Sequence, residues 1–402
     1  MSSLTERLRI KAQLSALKLA SKVLPSPRPL VLLGPGSAQR FCRTLRDLGV
    51  RHPLVVTDGV LYELGVLDPI LRRLRREKLA VTVYQGVTPD PTERVVNEGV
   101  ALLKHAGCDA VLAIGGGSSI DAGKVIALAA ANDCPAKKLV GVLKAHRAAL
   151  PLFVVPTTAG TGSEVTVGAV ISDDHSHKKG LVIDPKLVPR ATALDPRLMR
   201  GMPPKVTAET GVDALTHAIE AWISDFATPE TDQFAGAATR LVFQNLPRAF
   251  ADGEDLEARE AMALAAHYAG LAINQTGVGY VHAIAHQLGA LYRVPHGRAN
   301  AIVLPHVLGF NRQSCNRRFA ALARTAELVA DATDEQATAR LFEAVEHLLG
   351  QLAIDRHVTG LSAEEFADIV RAAFAEAHGT YAVPRYMAQA DGQRILKAIA
   401  AE

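Results

Sequence analysis

Two windows in the second half of the sequence place carboxylate and imidazole groups at helical spacing. In Thr210-Gly-Val-Asp213-Ala-Leu-Thr-His217-Ala-Ile-Glu220, Asp213 and His217 are four residues apart, so on a helix they share a face. In Val281-His282-Ala-Ile-Ala-His286-Gln-Leu-Gly289, His282 and His286 repeat that spacing, and His296 follows in a Pro/Gly turn, Val294-Pro295-His296-Gly297. One carboxylate with three imidazoles suits a borderline divalent cation such as Fe²⁺ or Zn²⁺. One histidine of the second window is then left for another task. Plain surface ion pairs are the competing reading of such spacings. Against it, apolar residues surround the polar ones in both windows, and burying Asp and His uncompensated is costly.

A second kind of chemistry is written in glycine. The apolar run Ala110–Ile114 leads into Gly115-Gly116-Gly117-Ser118-Ser119-Ile120-Asp121-Ala122-Gly123-Lys124. Glycines directly after a strand let backbone amides approach a ligand, and Ser118 is placed to cap a helix whose N-terminus favours a phosphate or pyrophosphate; the competing reading is a merely tight structural turn. Ile120 stands where G-x-G-x-x-G needs its last glycine, and no Gly-Lys-Ser/Thr follows at P-loop spacing. Pro156-Thr157-Thr158-Ala159-Gly160-Thr161-Gly162-Ser163 follows the apolar run Leu152–Val155 and offers hydroxyls and amides to sugar and phosphate oxygens. Asp58 ends the run Val55-Val56-Thr57, where an acidic group accepts from ribose hydroxyls and repels a 2′-phosphate; the competing reading is an N-cap or turn residue.

These groups need elements to hold them. Candidate strands are Pro29–Leu33, Leu54–Thr57, Val81–Tyr84, Ala110–Ile114, Leu139–Val142 and Leu152–Val155, with amphipathic segments such as Thr92–His105 and Ser118–Ala131 between them. That alternation predicts a mostly parallel sheet with helices on its faces. After Pro203-Pro204 the pattern is helical: Ala208–Ile223, Asp232–Phe250, Leu256–Ile273, Tyr280–Leu291, Asp334–Leu352 and Ala363–Ala377. The expected organisation is an α/β domain over 28–200 and an all-helical domain over 201–402, with an interdomain cleft as the default place for a site. Residues 1–27 read as a helical extension. Leu4, Leu8, Ile10, Leu14 and Leu17 form a stripe flanked by basic residues, and Lys18 and Lys22 interrupt any signal-peptide core.

The 402 residues are 49% hydrophobic and 21% charged, which excludes a disordered chain. A net charge of +3 gives no reason to expect nucleic acid as a partner. No run reaches the ~18 apolar residues of a membrane span. Cys42, Cys108, Cys134 and Cys315 are scattered, as expected of reduced thiols in a cytoplasmic protein.

Taken together, these stretches resemble the iron-containing (group III) alcohol dehydrogenase family. The likeness is carried by Gly115–Lys124, Pro156–Thr166, Gly211–Glu220, His282–Gly289, His296-Gly297 and Leu304-Pro305-His306-Val307, and runs from about residue 28 to the end. The resemblance implies an α/β Rossmann-like N-terminal domain plus an all-α C-terminal domain, the dehydroquinate synthase-like architecture. It implies NAD(H) and one divalent metal, Fe²⁺ first and Zn²⁺ next. The metal ligands would be Asp213, His217, His282 and His296, and His286 would relay a proton. Cofactor contacts would come from Asp58, Gly115, Gly116, Gly117, Ser118, Asp121, Thr157, Thr158 and Thr161. The implied reaction is hydride transfer between a metal-bound alcohol and nicotinamide C4, on a small alcohol or aldehyde, in a cytoplasmic homo-oligomer. Same-fold alternatives are a glycerol-type polyol dehydrogenase, a maleylacetate reductase-like enzyme and a catalytically silent binding protein. Val383-Pro384-Arg385 departs from the family's Asn-Pro-Arg, and Gly168 and Ile273 stand where several members carry larger or polar residues facing substrate.

Overall fold

A computed structural model describes residues 13–14, 27–174 and 178–401. The extension expected over 1–27 lies almost wholly outside the described residues. The chain divides into two compact units, one of Pro25–Met202 with Glu254–Ala263, the other containing Pro203–Gly253 and Leu264–Glu402.

The first unit is built on β1 (Leu30–Leu33), α1 (Ser37–Asp47), β2 (Pro53–Asp58), α2 (Gly59–Glu63), α3 (Asp68–Arg76), β3 (Thr82–Val87), α4 (Glu93–Ala106), β4 (Ala110–Gly115) and α5 (Gly117–Asn132). It continues with β5 (Gly141–Val142), β6 (Leu152–Pro156), β7 (Gly168–Ser172), β8 (Lys179–Ile183) and β9 (Ala191–Leu194). Six strands form a sheet in the order β1-β9-β6-β4-β2-β3, every pair parallel, and β5-β8-β7 form a smaller sheet. Alternate residues of the central strands feed opposite faces, as a pleat requires. Leu54, Val56, Val111, Ala113, Leu152 and Val154 pack with α4 and α5. Val55, Leu112, Ile114, Phe153 and Val155 pack with α1 and α3. The near-continuous apolar runs of β4 and β6 are what a sheet covered on both sides needs.

The chain leaves β3 at one edge and returns beyond β2 to lay down β4. This reversal of strand order is a topological switch, and the carboxyl ends of the strands on either side of it are where ligands bind in such sheets. Asp58 ends β2, and Gly115–Gly117 leads out of β4.

Three strands were not expected. β9 is short but sits inside the sheet, paired with β1 and β6. Its sequence Ala-Thr-Ala-Leu is too brief and weakly apolar to stand out before the pairing is known. β7 and β8 pair antiparallel between Gly168↔Ile183 and Ser172↔Lys179.

From Pro203 on, the described structure is helical: α6 (Pro204–Ile223), α7 (Pro229–Ala251), α8 (Leu256–Thr276), α9 (Tyr280–Tyr292), α10 (His296–Thr325), α11 (Asp334–Gln351), α12 (Phe366–Ala377) and α13 (Gln389–Ile399). α10 departs from the sequence reading, which left His296 in a turn. Pro295 is its N-cap and His296 its first residue. Pro305 lies inside it and masks a 30-residue helix, because proline removes a backbone donor that helix patterns presume. Gly297 lets α10 begin hard against α6, since a Cβ there would overlap the Glu209 carbonyl. Glu209 is one turn before Asp213, so this close approach carries His296 to the carboxylate.

Candidate metal centre and nucleotide cradle

Asp213 and His217 stand one turn apart on α6, buried, with Glu220 on the same face. His282, on the first turn of α9, is also buried. Asp213, His217 and His282 bring one ligand atom each to within 4.8 Å of the others. His296 Nε2 is 3.5 Å from Asp213 Oδ1, and His282 Nε2 is 3.7 Å from it. An ion about 2.1 Å from four tetrahedral ligands sets those ligands roughly 3.4 Å apart. The donor set, hard oxygen with imidazole nitrogen, and its spacing therefore fit a divalent cation. The His296 side chain is 33% exposed against 3% for Asp213 and His282, so the shell is open on its side. Catalytic metal sites keep such an open position.

Outer partners set the ligands. Glu220 accepts from the Gly279 and Val281 amides, both at 2.7 Å, capping the otherwise uncapped start of α9. It also pairs with His282 Nδ1 at 2.6 Å. A proton on Nδ1 turns the Nε2 lone pair toward Asp213, which is the tautomer a ligand needs. Gly279 makes room, because a Cβ there would stand 2.8 Å from Glu220 Oε1. Asn300 Nδ2 donates to Asp213 Oδ1 at 2.7 Å.

Among the protein groups, burial raises the Asp213 pKa, but His217, His296 and His282 more than reverse this and hold it well below the usual carboxylate range. Burial likewise opposes charge on His282, but Glu220 and Asp213 outweigh it and raise its pKa to about 9. Such mutual attraction is the field in which a cation is welcome.

His286 shares the α9 face with His282. Its ring stacks on His296 at 5.2 Å between centroids, and its Nδ1 pairs with Glu376 Oε1 at 2.6 Å. Glu376 also accepts from Tyr381 Oη at 2.6 Å and from Gln287 Nε2 at 3.1 Å. Burial raises the Glu376 pKa, and the His286 and Tyr381 contacts outweigh it and lower it. In the sequence Glu220 stands out only as the end of the Gly211–Glu220 motif, and Asn300, Glu376 and Tyr381 carry no local signal. Glu220 could have been found by helical phase, seven residues after Asp213. Glu376 is 90 residues from His286, and no local pattern announces it.

In the α/β unit, Gly115 pairs in register with Pro156, so the glycine turn and the threonine loop leave neighbouring strands side by side. Thr157 N donates to Gly115 O at 2.9 Å. Gly115 has φ +153°, and a Cβ there would meet Ser119 Oγ at 2.5 Å. A Cβ on Gly116 would stand 3.3 Å from Thr158, and one on Gly117 2.8 Å from Thr161. Only glycine permits this approach. Ser118 does not cap the helix as expected. Gly116 holds the N-cap position and no side chain caps it, so Ser118 falls at the second helical residue. The first amides of α5 are thus not occupied by a capping side chain, and the helix dipole favours an anion there. The cradle fits a phosphate-bearing cofactor.

Asp58 caps α2, accepting from Leu61 N at 2.9 Å. Asp121 is engaged by protein through both oxygens, accepting from Ser163 Oγ at 2.6 Å and Val170 N at 2.8 Å. Lys124, fully buried, donates to Thr166 O, Thr166 Oγ1 and Gly168 O at 2.7–3.0 Å. Burial lowers its pKa to about 8, with Asp121 and Glu164 working the other way. Asp121 and Lys124 together fasten the segment that follows the threonine loop. Arg385, in the departed Val-Pro-Arg motif, lies 4.4 Å over the Phe310 ring and donates to the Phe310 carbonyl.

A cradle for a nucleotide anion in one unit and a shell for a divalent ion in the other describe, as a class, the metal-dependent dinucleotide dehydrogenases. Residues 29–196 match the family described as iron-containing alcohol dehydrogenase, and residues 207–400 match the C-terminal part of the Fe-containing alcohol dehydrogenase family. The chain belongs to the iron-containing alcohol dehydrogenase family. It is 42% identical over 295 residues to an NAD-dependent methanol dehydrogenase of Bacillus methanolicus, covering 73% of this chain and 77% of that one. It is 37% identical over 346 residues to long-chain-alcohol dehydrogenase 1 of Geobacillus thermodenitrificans, covering 84% and 86%. A crystal structure of 1,3-propanediol oxidoreductase superposes with a TM-score of 0.89 at 35% identity, over 93% of this chain and 98% of that one. The chemistry is the family's, NAD-dependent dehydrogenation of alcohols with a metal ion.

Proposed function

We propose that Asp213, His217, His282 and His296 hold one divalent metal, Fe²⁺ first and Zn²⁺ next, and that the chain interconverts a small-molecule alcohol, of whatever chain length, and its aldehyde with NAD(H). The observation that carries this reading is the convergence of Asp213, His217 and His282 at ligand spacing, with His296 Nε2 3.5 Å from Asp213 Oδ1. When bound, the metal supplies Lewis acidity at the alcohol oxygen.

The chain's own groups do the rest. Asp213 with three neutral imidazoles leaves the centre a net charge of about +1, which favours a developing negative charge on oxygen. Glu220 holds the His282 tautomer. His286, with Nδ1 on Glu376, takes the alcohol proton at Nε2, and Glu376 stabilises the imidazolium that results. Backbone amides of Gly116, Gly117 and Ser118 and the hydroxyls of Thr157, Thr158 and Thr161 hold the cofactor's phosphates and sugar. Asp58 accepts from the ribose and selects NAD. Asp121 acts on the cofactor side by positioning the 163–170 segment.

The relatives at 37–42% identity bear names for methanol and for long-chain alcohols, so family likeness leaves the alcohol's length open. We place the protein in the cytoplasm: its four cysteines are free thiols, and no helix among the described residues is long and apolar enough to cross a membrane. We also read it as a homo-oligomer. Edge strand β1 carries Leu30, Val31 and Leu33 at 37–56% exposure, a ready surface for pairing. Anaerobic reconstitution with Fe²⁺ or Zn²⁺, following NADH absorbance over a panel of alcohols and aldehydes, tests the central reading. Metal-dependent NADH formation is expected. Turnover equal in metal-stripped and reconstituted protein overturns it.

A further inference from the structure

Asn300 lies one turn after His296 on α10 and is fully buried. Its Nδ2 donates to Asp213 Oδ1 at 2.7 Å and faces Nε2 of both His282 and His296 at 3.2 Å. The two hydrogens of the amide cannot serve all three atoms at once. Those atoms are three of the four assigned above to the metal. The amide orientation follows from Asp213, because the opposite one would turn Oδ1 toward a carboxylate oxygen. With nitrogen inward, Oδ1 is buried and has no hydrogen-bond partner among the described residues. An apolar residue at this core position would avoid that cost. Packing alone therefore does not account for an asparagine here.

We propose that Asn300 is a positioning residue of the metal centre, its amide nitrogen holding Asp213, His282 and His296 at ligand spacing before the cation takes their lone pairs. This rests on the metal reading above. Two effects of removing the amide oppose each other. A competitor for the lone pairs is lost, which favours the metal. The ligands are also freed to turn apart or close on one another, and the metal must then rebuild the shell. The first effect is the smaller, because the donor is neutral and the Asp213 carboxylate has further lone-pair positions through which it can keep that bond. Loss of an outer partner generally weakens metal binding by about 10–100-fold.

The test is Co²⁺ titration of the full chain after chelator stripping, reading affinity by chelator competition and coordination by the visible absorption bands. Asn300→Ala is expected to weaken Co²⁺ by about 10–100-fold and to change the bands. Asn300→Asp keeps the shape, loses the donor and adds a charge facing Asp213. Its stripped form is expected to melt below wild type, and Co²⁺ is expected to raise its midpoint by more than it raises that of wild type. Asn300→Ala that binds Co²⁺ as wild type does, with unchanged bands, overturns the proposal. So does Asn300→Asp whose stripped form melts with wild type, a reading that stands even where the alanine variant does not fold. A wild-type chain that takes up no Co²⁺ overturns the metal reading itself.

Discussion

The two candidate sites are built from opposite materials. The metal cluster is made of side chains, Asp213 and His217 from α6, His282 from α9 and His296 from α10, with Glu220 on His282 and Asn300 on Asp213. The nucleotide cradle is built on backbone that the threonine loop abuts, and its defining side chains are missing ones, at Gly115, Gly116 and Gly117. A site of the first kind is lost by removing atoms. A site of the second kind is lost by adding them. The contrast predicts that the two fail separately and under opposite changes.

The largest effect is expected from His282→Ala. Losing a ligand should exceed the loss of an outer partner, so metal affinity falls by more than about 100-fold. Metal analysis and turnover should fall together, while NADH binding, followed by its fluorescence, stays near wild type. Metal content that survives the substitution breaks the ligand assignment. The matching change on the other side is Gly117→Val, which drives carbon into Thr161 from a Cβ position 2.8 Å away. Overpacking of about 1–3 kcal/mol corresponds to roughly 5–150-fold weaker binding. NADH affinity should fall by that order with metal content unchanged. A variant that binds NADH normally would show that the turn is merely tight and holds no phosphate.

The same contrast explains what was legible in the sequence. Asp213/His217 and His282/His286 declare themselves because helical spacing is local, and Gly115–Gly117 because three glycines after an apolar run have few other uses. His296 was found as a residue but misplaced in a turn, since Pro305 hides α10 and the contact of Gly297 with Glu209 depends on tertiary packing. Glu376 is not legible, because His286 lies 90 residues away; Asn300 is hidden because its neighbour His296 reads as part of a turn rather than of the same helix, and Asp213 lies 87 residues away. The parallel sheet followed from alternation of strands and helices, whereas β9 shows its place only through its neighbours. Side-chain chemistry is thus readable where ligands share a helix, and unreadable where the fold supplies the partner.

An intermediate effect is expected of Glu220→Gln. It keeps a carbonyl for one of the two α9 amides but puts an amide nitrogen where a carboxylate oxygen received the other, and it removes the charge that draws the His282 Nδ1 proton. Metal affinity should drop by about 10–100-fold, toward the lower end because the first ligand set is intact. Retention of full affinity, measured by chelator competition, would mean that His282 keeps its tautomer unaided and that Glu220 serves only α9.

The smallest effect sharpens the cradle side, at the acidic side chain that ends β2. Asp58 has two jobs in this structure, capping α2 through Leu61 N and placing a negative charge at the carboxyl end of β2. Asp58→Asn separates them. Asparagine caps about as well as aspartate, so the melting temperature should hold. The charge is gone, and with it the repulsion of a 2′-phosphate. Two charges about 4 Å apart interact by about 1 kcal/mol in water and more beside a protein surface, so the NADP-to-NAD ratio of kcat/KM should rise by about tenfold. An unchanged ratio with an unchanged melting temperature would mean that the charge does not face the ribose. A fall in melting temperature with no change in ratio would leave Asp58 as a helix cap and nothing more, and the choice of nicotinamide cofactor would then have to come from the amides and threonine hydroxyls of the rest of the cradle.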